Sequence, residues 1–206
     1  MELLDPVEVR VLGALMEKEA TTPEYYPLSL NALVNACNQK TNRDPVTSYD
    51  EDTVADALAS LREKRFALTI TGGSRVNKYQ QRISETLNLG RRESAVLCVL
   101  LLRGPQTLGE IKDRSERMFS FADLAETETV LDKLDTLVKK LPRLPGQKEA
   151  RYVHLLSGEP DLEAMTEPSS AAPPGRVAQL EQDLRDLRSE FDELKRRFEA
   201  LEAQLR

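Results

Sequence analysis

Side chains able to do covalent or metal chemistry are scarce in this sequence, and the scarcity is informative. There is one histidine, His154, and there are two cysteines, Cys37 and Cys98. A zinc site of four Cys/His ligands would consume all three and still lack a ligand. A hydrolase built on a serine, a histidine and an acid would have to use His154, which sits between Val153 and Leu155. No glycine-rich phosphate loop and no nucleophile–base pair appears either. The expectation is a non-catalytic protein with no cofactor and no metal, its cysteines serving as small buried hydrophobes. What the sequence does offer is recognition of anions. Residues 64 to 82 hold Lys64, Arg65, Arg75, Lys78 and Arg82 with no acid, and residues 139 to 151 hold Lys139, Lys140, Arg143, Lys148 and Arg151 against Glu149 alone. A third candidate is the stretch Asn38, Gln39, Lys40, Asn42, Arg43, whose donors and acceptors suit phosphates and base edges. The competing readings are solvated edge-strand charges for the two basic segments and loop-shaping side-chain-to-backbone bonds for the third.

The elements that carry these residues follow from periodicity. Asp5-Pro6-Val7-Glu8 is a capping box with proline in the first turn, and Leu4, Val7, Val11, Leu12 and Leu15 continue at helical spacing. Thr21-Thr22-Pro23 stops that helix, and Tyr26-Pro27-Leu28 reads as extended. Ser29 opens a second helix through about Asn38, with Leu30, Leu33, Val34 and Cys37 on its apolar face. Ser48 with Glu51 reads as a capping box for a third helix that buries Val54, Leu58 and Leu61. Phe66, Leu68 and Ile70 then alternate, Gly72-Gly73 marks a turn, and Tyr79 and Ile83 alternate on the return. The next stretch repeats the order. A helix covers about Arg91 to Leu102; Gln106-Thr107-Leu108 is extended, and Thr107 with Glu110 caps a helix through about Glu116. A third helix carries Val130, Leu131, Leu134 and Val138, and Lys139–Arg143 is set to pair with Arg151–Leu156 across Gly146, with Pro142 placing that ribbon at a sheet edge.

Three short helices followed by a hairpin is the winged-helix arrangement, in which the third helix probes a DNA groove and the hairpin is the wing. The fold class expected is therefore mainly α with small β-hairpins, as two tandem winged-helix domains, residues 1–88 and 89–157. Residues 158–175, rich in proline, serine and alanine, read as a flexible linker. In residues 176–206, Val177, Leu180, Leu184, Leu187, Phe191, Leu194, Phe198, Leu201 and Leu205 alternate spacings of three and four, a heptad stripe. A parallel pair sets Arg176 against Glu181, Asp183 against Arg188, Glu190 against Lys195 and Arg197 against Glu202, all attractive. The centred antiparallel pairing makes every corresponding contact repulsive. Each exposed pair contributes only about 0.2–1 kcal/mol, but the consistent sign selects a parallel homodimer; phenylalanines at two a positions leave a trimer open.

Charge then limits the partners. The chain has 206 residues and a formal net charge of −6, which argues against a protein that coats nucleic acid nonspecifically. The expected third helix holds Asp50, Glu51, Asp52, Asp56 and Glu63 against Arg62, and its counterpart Glu126, Glu128, Asp132 and Asp135 against Lys133. Acids in a first turn suit the helix dipole, yet they repel phosphate from the surface that would face a groove. DNA contact, if made, is led by the wings, and the candidate DNA-binding residues are Lys40, Asn42, Arg43, Arg75, Lys78, Arg82, Lys140, Arg143 and Lys148. The longest apolar run, Ala95 to Leu102, is too short to cross a bilayer.

The stretches Glu17-Lys18-Glu19-Ala20-Thr21-Thr22-Pro23, Tyr26-Pro27-Leu28-Ser29-Leu30-Asn31-Ala32-Leu33, Ala36-Cys37-Asn38-Gln39-Lys40 and Asn42-Arg43, with Leu101-Leu102-Arg103-Gly104-Pro105-Gln106-Thr107, resemble the YceH-like family of uncharacterised bacterial proteins. The resemblance covers roughly residues 2 to 157. It implies a tandem winged-helix fold and a bacterial cytoplasmic setting, and brings no catalytic residues with it. The functional expectation is a dimeric DNA-binding regulator; the alternative is an interaction module or scaffold that meets protein instead of DNA.

Overall fold

The first turn of the chain is fixed by its capping box. Asp5 accepts hydrogen bonds from the Val7 and Glu8 amides at 2.7 and 2.8 Å, and the Glu8 carboxylate accepts from the Asp5 amide at 2.7 Å. Helix α1, Pro6–Thr21, follows, and every residue from Glu8 to Glu17 in it is buried. A helix buried all round is a central one. The computed structural model describes residues 2–71, 76–143 and 147–160, together with Lys195. The chain divides into two units, Met1–Pro160 and Asp161–Arg206, and every element described below belongs to the first.

After α1 come strand β1 (Leu28–Ser29), helices α2 (Leu30–Cys37) and α3 (Glu51–Glu63), strands β2 (Ala67–Ile70) and β3 (Lys78–Gln81), and the short helix α4 (Ile83–Thr86). The same order then recurs as α5 (Arg91–Arg103), β4 (Gln106–Thr107), α6 (Leu108–Ser115), α7 (Leu124–Lys133), β5 (Val138–Lys140) and β6 (Arg151–His154). The described residues are thus mainly helical, with two small antiparallel sheets of three strands, ordered β1-β3-β2 and β4-β6-β5. The repeat extends to detail. Tyr79 lies between Leu28 and Thr69 in one sheet, as Tyr152 lies between Gln106 and Lys140 in the other. The hydroxyls of Ser29 and Thr107 cap α2 and α6, and the carboxylates of Asp50 and Asp123 cap α3 and α7.

Local expectations fail at four points, each for a physical reason. The third helix is capped by Asp50, which accepts from the Thr53 amide at 2.8 Å, and not by Ser48. Asn38 holds both the amide and the carbonyl of Tyr49, which keeps the chain extended past Ser48. Ile83 does not continue strand β3; it opens α4 and is fully buried there. Ile70, at the outer end of β2, is exposed. Val138 belongs to β5, because the third helix of the second half ends at Lys133. The hairpin turn at Gly72–Gly73, the turn at Gly146 and the heptad stripe from Val177 to Leu205 lie outside the described residues.

The two halves share one apolar core. Leu12, Leu15, Leu33, Leu58 and Leu61 from the first half and Leu97, Leu100 and Ile111 from the second are all fully buried within it. Contact between α1 and α5 is closest at Gly13. A Cβ placed there would stand 2.9 Å from Leu102 Cδ2 and 3.1 Å from Leu101 Cβ. The Gly13 carbonyl also accepts from the Cys98 thiol at 3.4 Å. A glycine inside a helix ordinarily costs about 0.5–1 kcal/mol relative to alanine. Here the substitution Gly13→Ala should instead lower stability by roughly 1–2 kcal/mol, because overpacking exceeds the gain in propensity. Chemical denaturation of the two chains measures this, and a more stable Gly13→Ala would refute the close approach.

Candidate nucleic-acid interface

The loop joining α2 to α3 carries Lys40, Asn42 and Arg43, three of the residues whose types suggest nucleic-acid contact. The structure turns most of this loop inward. Arg43 is only 5% exposed. Its guanidinium makes a two-pronged bond to Glu17, at 2.6 and 3.2 Å, and donates to the Ala36 carbonyl at 2.9 and 3.1 Å and to Gln39 Oε1 at 3.0 Å. All of this pairing is internal, so Arg43 has no free face for a phosphate, and its assignment as a DNA contact is corrected on that ground. Asn42 is half-buried, has φ 60° and accepts a hydrogen bond from Arg103 on α5. Next to it, the Asp44 amide donates to the Leu102 carbonyl at 2.9 Å. Lys40 alone among the three is exposed.

Arg10, inside α1, completes this network. It donates to the Pro45 carbonyl at 2.6 Å and to the Cys37 carbonyl at 3.3 Å. Asn38 seals the far side, donating to the Tyr49 carbonyl at 2.7 Å and accepting from the Tyr49 amide at 2.8 Å. Burial pushes the Cys37 thiol up to about 12, so it stays protonated and inert. His154 is on β6 opposite Val138. Burial lowers it to about 4, and it is neutral at physiological pH. No cluster of three or more His, Cys, Asp or Glu side chains suited to a metal ion is found among the described residues.

The basic segments divide into engaged and free cations. Lys64 reaches both oxygens of buried Glu8 at 2.7 Å and the Leu3 carbonyl at 2.9 Å, so it locks the end of α3 to the start of α1. Arg151 donates to the Pro105 carbonyl and to Glu110 at 2.9 and 3.0 Å. Lys139 pairs with Glu159. Lys140 lies 3.4 Å from Glu128 and over the Tyr152 ring at 5.3 Å, and Arg82 pairs with Glu85 at 2.9 Å. The remainder are open. Arg143 and Lys148 are exposed and Lys78 is half-exposed, none with a side-chain partner among the described residues. Arg75 lies outside the described residues. The third helices present the opposite charge, since Asp50, Glu51, Asp52, Asp56 and Glu63 are all exposed on α3. Of the tyrosines near this face, Tyr26 and Tyr49 pack against the core, and Tyr25 is exposed.

Residues 4–147 match the family described as protein of unknown function, DUF480. The chain belongs to the DUF480 family. It is 53% identical over 202 residues to a UPF0502 protein of Solibacter usitatus, covering 95% of this chain and 98% of that protein. It is also 53% identical over 189 residues to a UPF0502 protein of Citrifermentans bemidjiense, covering 88% of each. The DUF480 match spans α1 through β5, so it takes in most of the shared core and the whole inward network of Arg10, Glu17, Asn38, Arg43 and Arg103. Sequence reasoning missed the partners Arg10 and Glu17. The available signal was at Arg10, which stands between Val9 and Val11 inside a helix, where a charge needs a buried counterpart; Glu17, followed by Lys18 and Glu19, carried no such signal. Among the described residues no helix is long and apolar enough to cross a membrane.

The Glu17–Arg43 pair generates a signed prediction. Burial raises the Glu17 carboxyl, but the hydrogen bonds and charge of Arg43, with Lys18, more than offset this and leave it below its usual 4.5. A carboxyl that titrates lower in the folded chain adds stability that is complete above the unfolded value and is lost as the pH falls through the depressed one. Arg43→Ala strands the buried carboxylate and should cost about 3–5 kcal/mol near neutral pH. Glu17 then keeps only Lys18, 3.4 Å away, against burial, so acidification from neutrality should narrow the gap between variant and wild type. Urea denaturation at a series of pH values tests this, and a gap independent of pH would dismiss the pair as the source.

Proposed function

We propose that this chain is a non-catalytic DNA-binding regulator, built from two winged-helix units in tandem and paired as a parallel homodimer through the heptads of residues 176–206. The observation that carries the reading is the exact-order repeat of helix, strand, two helices and a two-stranded ribbon, with the unengaged cations Lys78, Arg143 and Lys148 on or beside the ribbons. Acidic third helices turn DNA away from α3 and α7 and leave the ribbons as the contact. The heptad repeat supports two copies, and hence two half-sites or one extended site. A bacterial cytoplasmic setting accords with this reading.

The exposed acids of α3 favour one alternative. A predominantly anionic helix surface suits a basic protein surface, and the chain would then be an interaction module that does not touch DNA.

Fluorescence anisotropy with a random-sequence duplex at 50 and 200 mM salt separates the two readings. A regulator weakens steeply with salt, and the triple variant K78E/R143E/K148E should flatten the logarithmic slope by up to about 0.9 per lost phosphate contact. Affinity indifferent to salt and to these charges would overturn DNA binding. Deleting residues 176–206 should halve the mass seen by light scattering; an unchanged mass would remove the coiled coil from the proposal.

A further inference from the structure

A cavity of about 440 Å³ opens at the root of the first hairpin. It is lined by Ala67 and Leu68, by three arginines, Arg62, Arg65 and Arg82, and by Glu85 and Thr86. The arginines come from three separate places: the last turn of α3, the turn that follows, and the residue after β3. Only Arg82 has a carboxylate partner, Glu85. The side chains of Arg62 and Arg65 have none among the described residues. Three arginines against one glutamate among the lining residues leave an excess of two positive charges there. Like charges do not gather without cost, and a doubly charged oxyanion is what such a set complements.

The backbone beneath is built to hold them. Helix α3 ends in a Schellman motif: the Phe66 amide donates to the Leu61 carbonyl at 2.8 Å and the Arg65 amide to the Arg62 carbonyl at 3.0 Å. Arg65 therefore occupies the left-handed position, φ 62°, where glycine is the usual residue. Thr86 Oγ1 donates to the Arg65 carbonyl at 3.0 Å, and the Arg82 amide donates to the Phe66 carbonyl at 2.7 Å. An arginine in a glycine position pays a conformational cost, and that cost places a cation at the rim of the cavity.

We propose that Arg62, Arg65 and Arg82 form a phosphate-binding site. It is distinct from the ribbon contact proposed above, because the cavity adjoins the Ala67–Gln81 end of the hairpin and not the Ile70–Lys78 end that leads to the turn. Three residue steps along the strand, roughly 10 Å, separate the two ends. The phosphate has two possible sources, a phosphorylated small molecule or a duplex backbone curving past the hairpin, and the guanidinium chemistry is common to both. The site does not depend on the regulator reading.

The test titrates the full chain with inorganic phosphate at millimolar concentration by calorimetry, with chloride held at matched ionic strength. Arg65→Gly is the informative variant. Glycine suits φ 62°, so R65G should melt no lower than wild type in chloride, while its phosphate affinity falls by about tenfold or more. R62A should lose affinity similarly, which guards against a peculiarity of one position. A folded R65G that binds phosphate as wild type does, or a wild type that gives no saturable heat, overturns the proposal. A random-sequence duplex added to the phosphate complex then identifies the source. Displacement of phosphate assigns the site to a nucleic-acid backbone, and undisturbed phosphate binding assigns it to a small phosphorylated ligand.

Discussion

The buried ion pair between Glu17 and Arg43 is the constraint around which the rest of the molecule is arranged. Arg43 sits on a loop of thirteen residues between two helices, a length at which loops without structure of their own are uncommon in a domain core. Glu17 gives that loop an anchor inside α1, and the anchor explains its path. Once Arg43 is committed to Glu17 and to the Ala36 carbonyl, Asn42 and Asp44 on either side are held against Arg103 and Leu102 at the end of α5. The loop thus ties its own half to the other. A buried pair is not stabilising merely by existing, since desolvation of both charges offsets much of the attraction. It does make the alternatives costly: any loop path that parts Arg43 from Glu17 leaves two charges without partners in a low-dielectric interior.

Legibility in the sequence followed the range of the interactions. Short-range signals read well. The capping boxes at Asp5/Glu8 and Thr107/Glu110 are both made, and the helices expected from apolar spacing after Asp5, from Ser29 to about Asn38 and from about Arg91 to Leu102 are present as Pro6–Thr21, Leu30–Cys37 and Arg91–Arg103. Where a signal needed a partner distant in sequence, reading failed. Ser48 with Glu51 read as the cap of the third helix, but Asn38, eleven residues before Tyr49, takes that segment's backbone groups. Arg43 looked like a phosphate ligand because nothing nearby reveals a carboxylate twenty-six residues upstream. Lys64 and Arg151 were counted with the ribbon cations for the same reason, and both are spent on internal acids, Glu8 and Glu110. A basic residue's type says that it will meet an anion; only the fold says whether that anion belongs to the protein.

Removal of these engaged cations changes the electrostatic character of the surface. The ribbons remain positive, but through fewer side chains than their sequence suggests, while the acids of α3 are all exposed. Any anionic partner therefore meets a local field of either sign within a short distance, and at physiological ionic strength the screening length of about 8 Å keeps those regions distinct. A net charge of −6 does not forbid contact with a polyanion under such conditions; it confines contact to narrow zones.

The shared core bears on how two ribbons could act together. If α1 and α5 packed loosely, each ribbon would ride on its own head and their spacing would be free. Instead the α1–α5 contact at Gly13 is close enough that a methyl group there would crowd Leu101 and Leu102, and the loop from Asn38 to Asp50 fastens the first half to the last turn of α5. The two ribbons are therefore elements of a single packed body, and their separation is set by helix packing. A ligand recognised by both must match that separation without help from a flexible joint. Preorganisation of this kind reduces the entropy lost on binding and raises the penalty for a target of the wrong spacing.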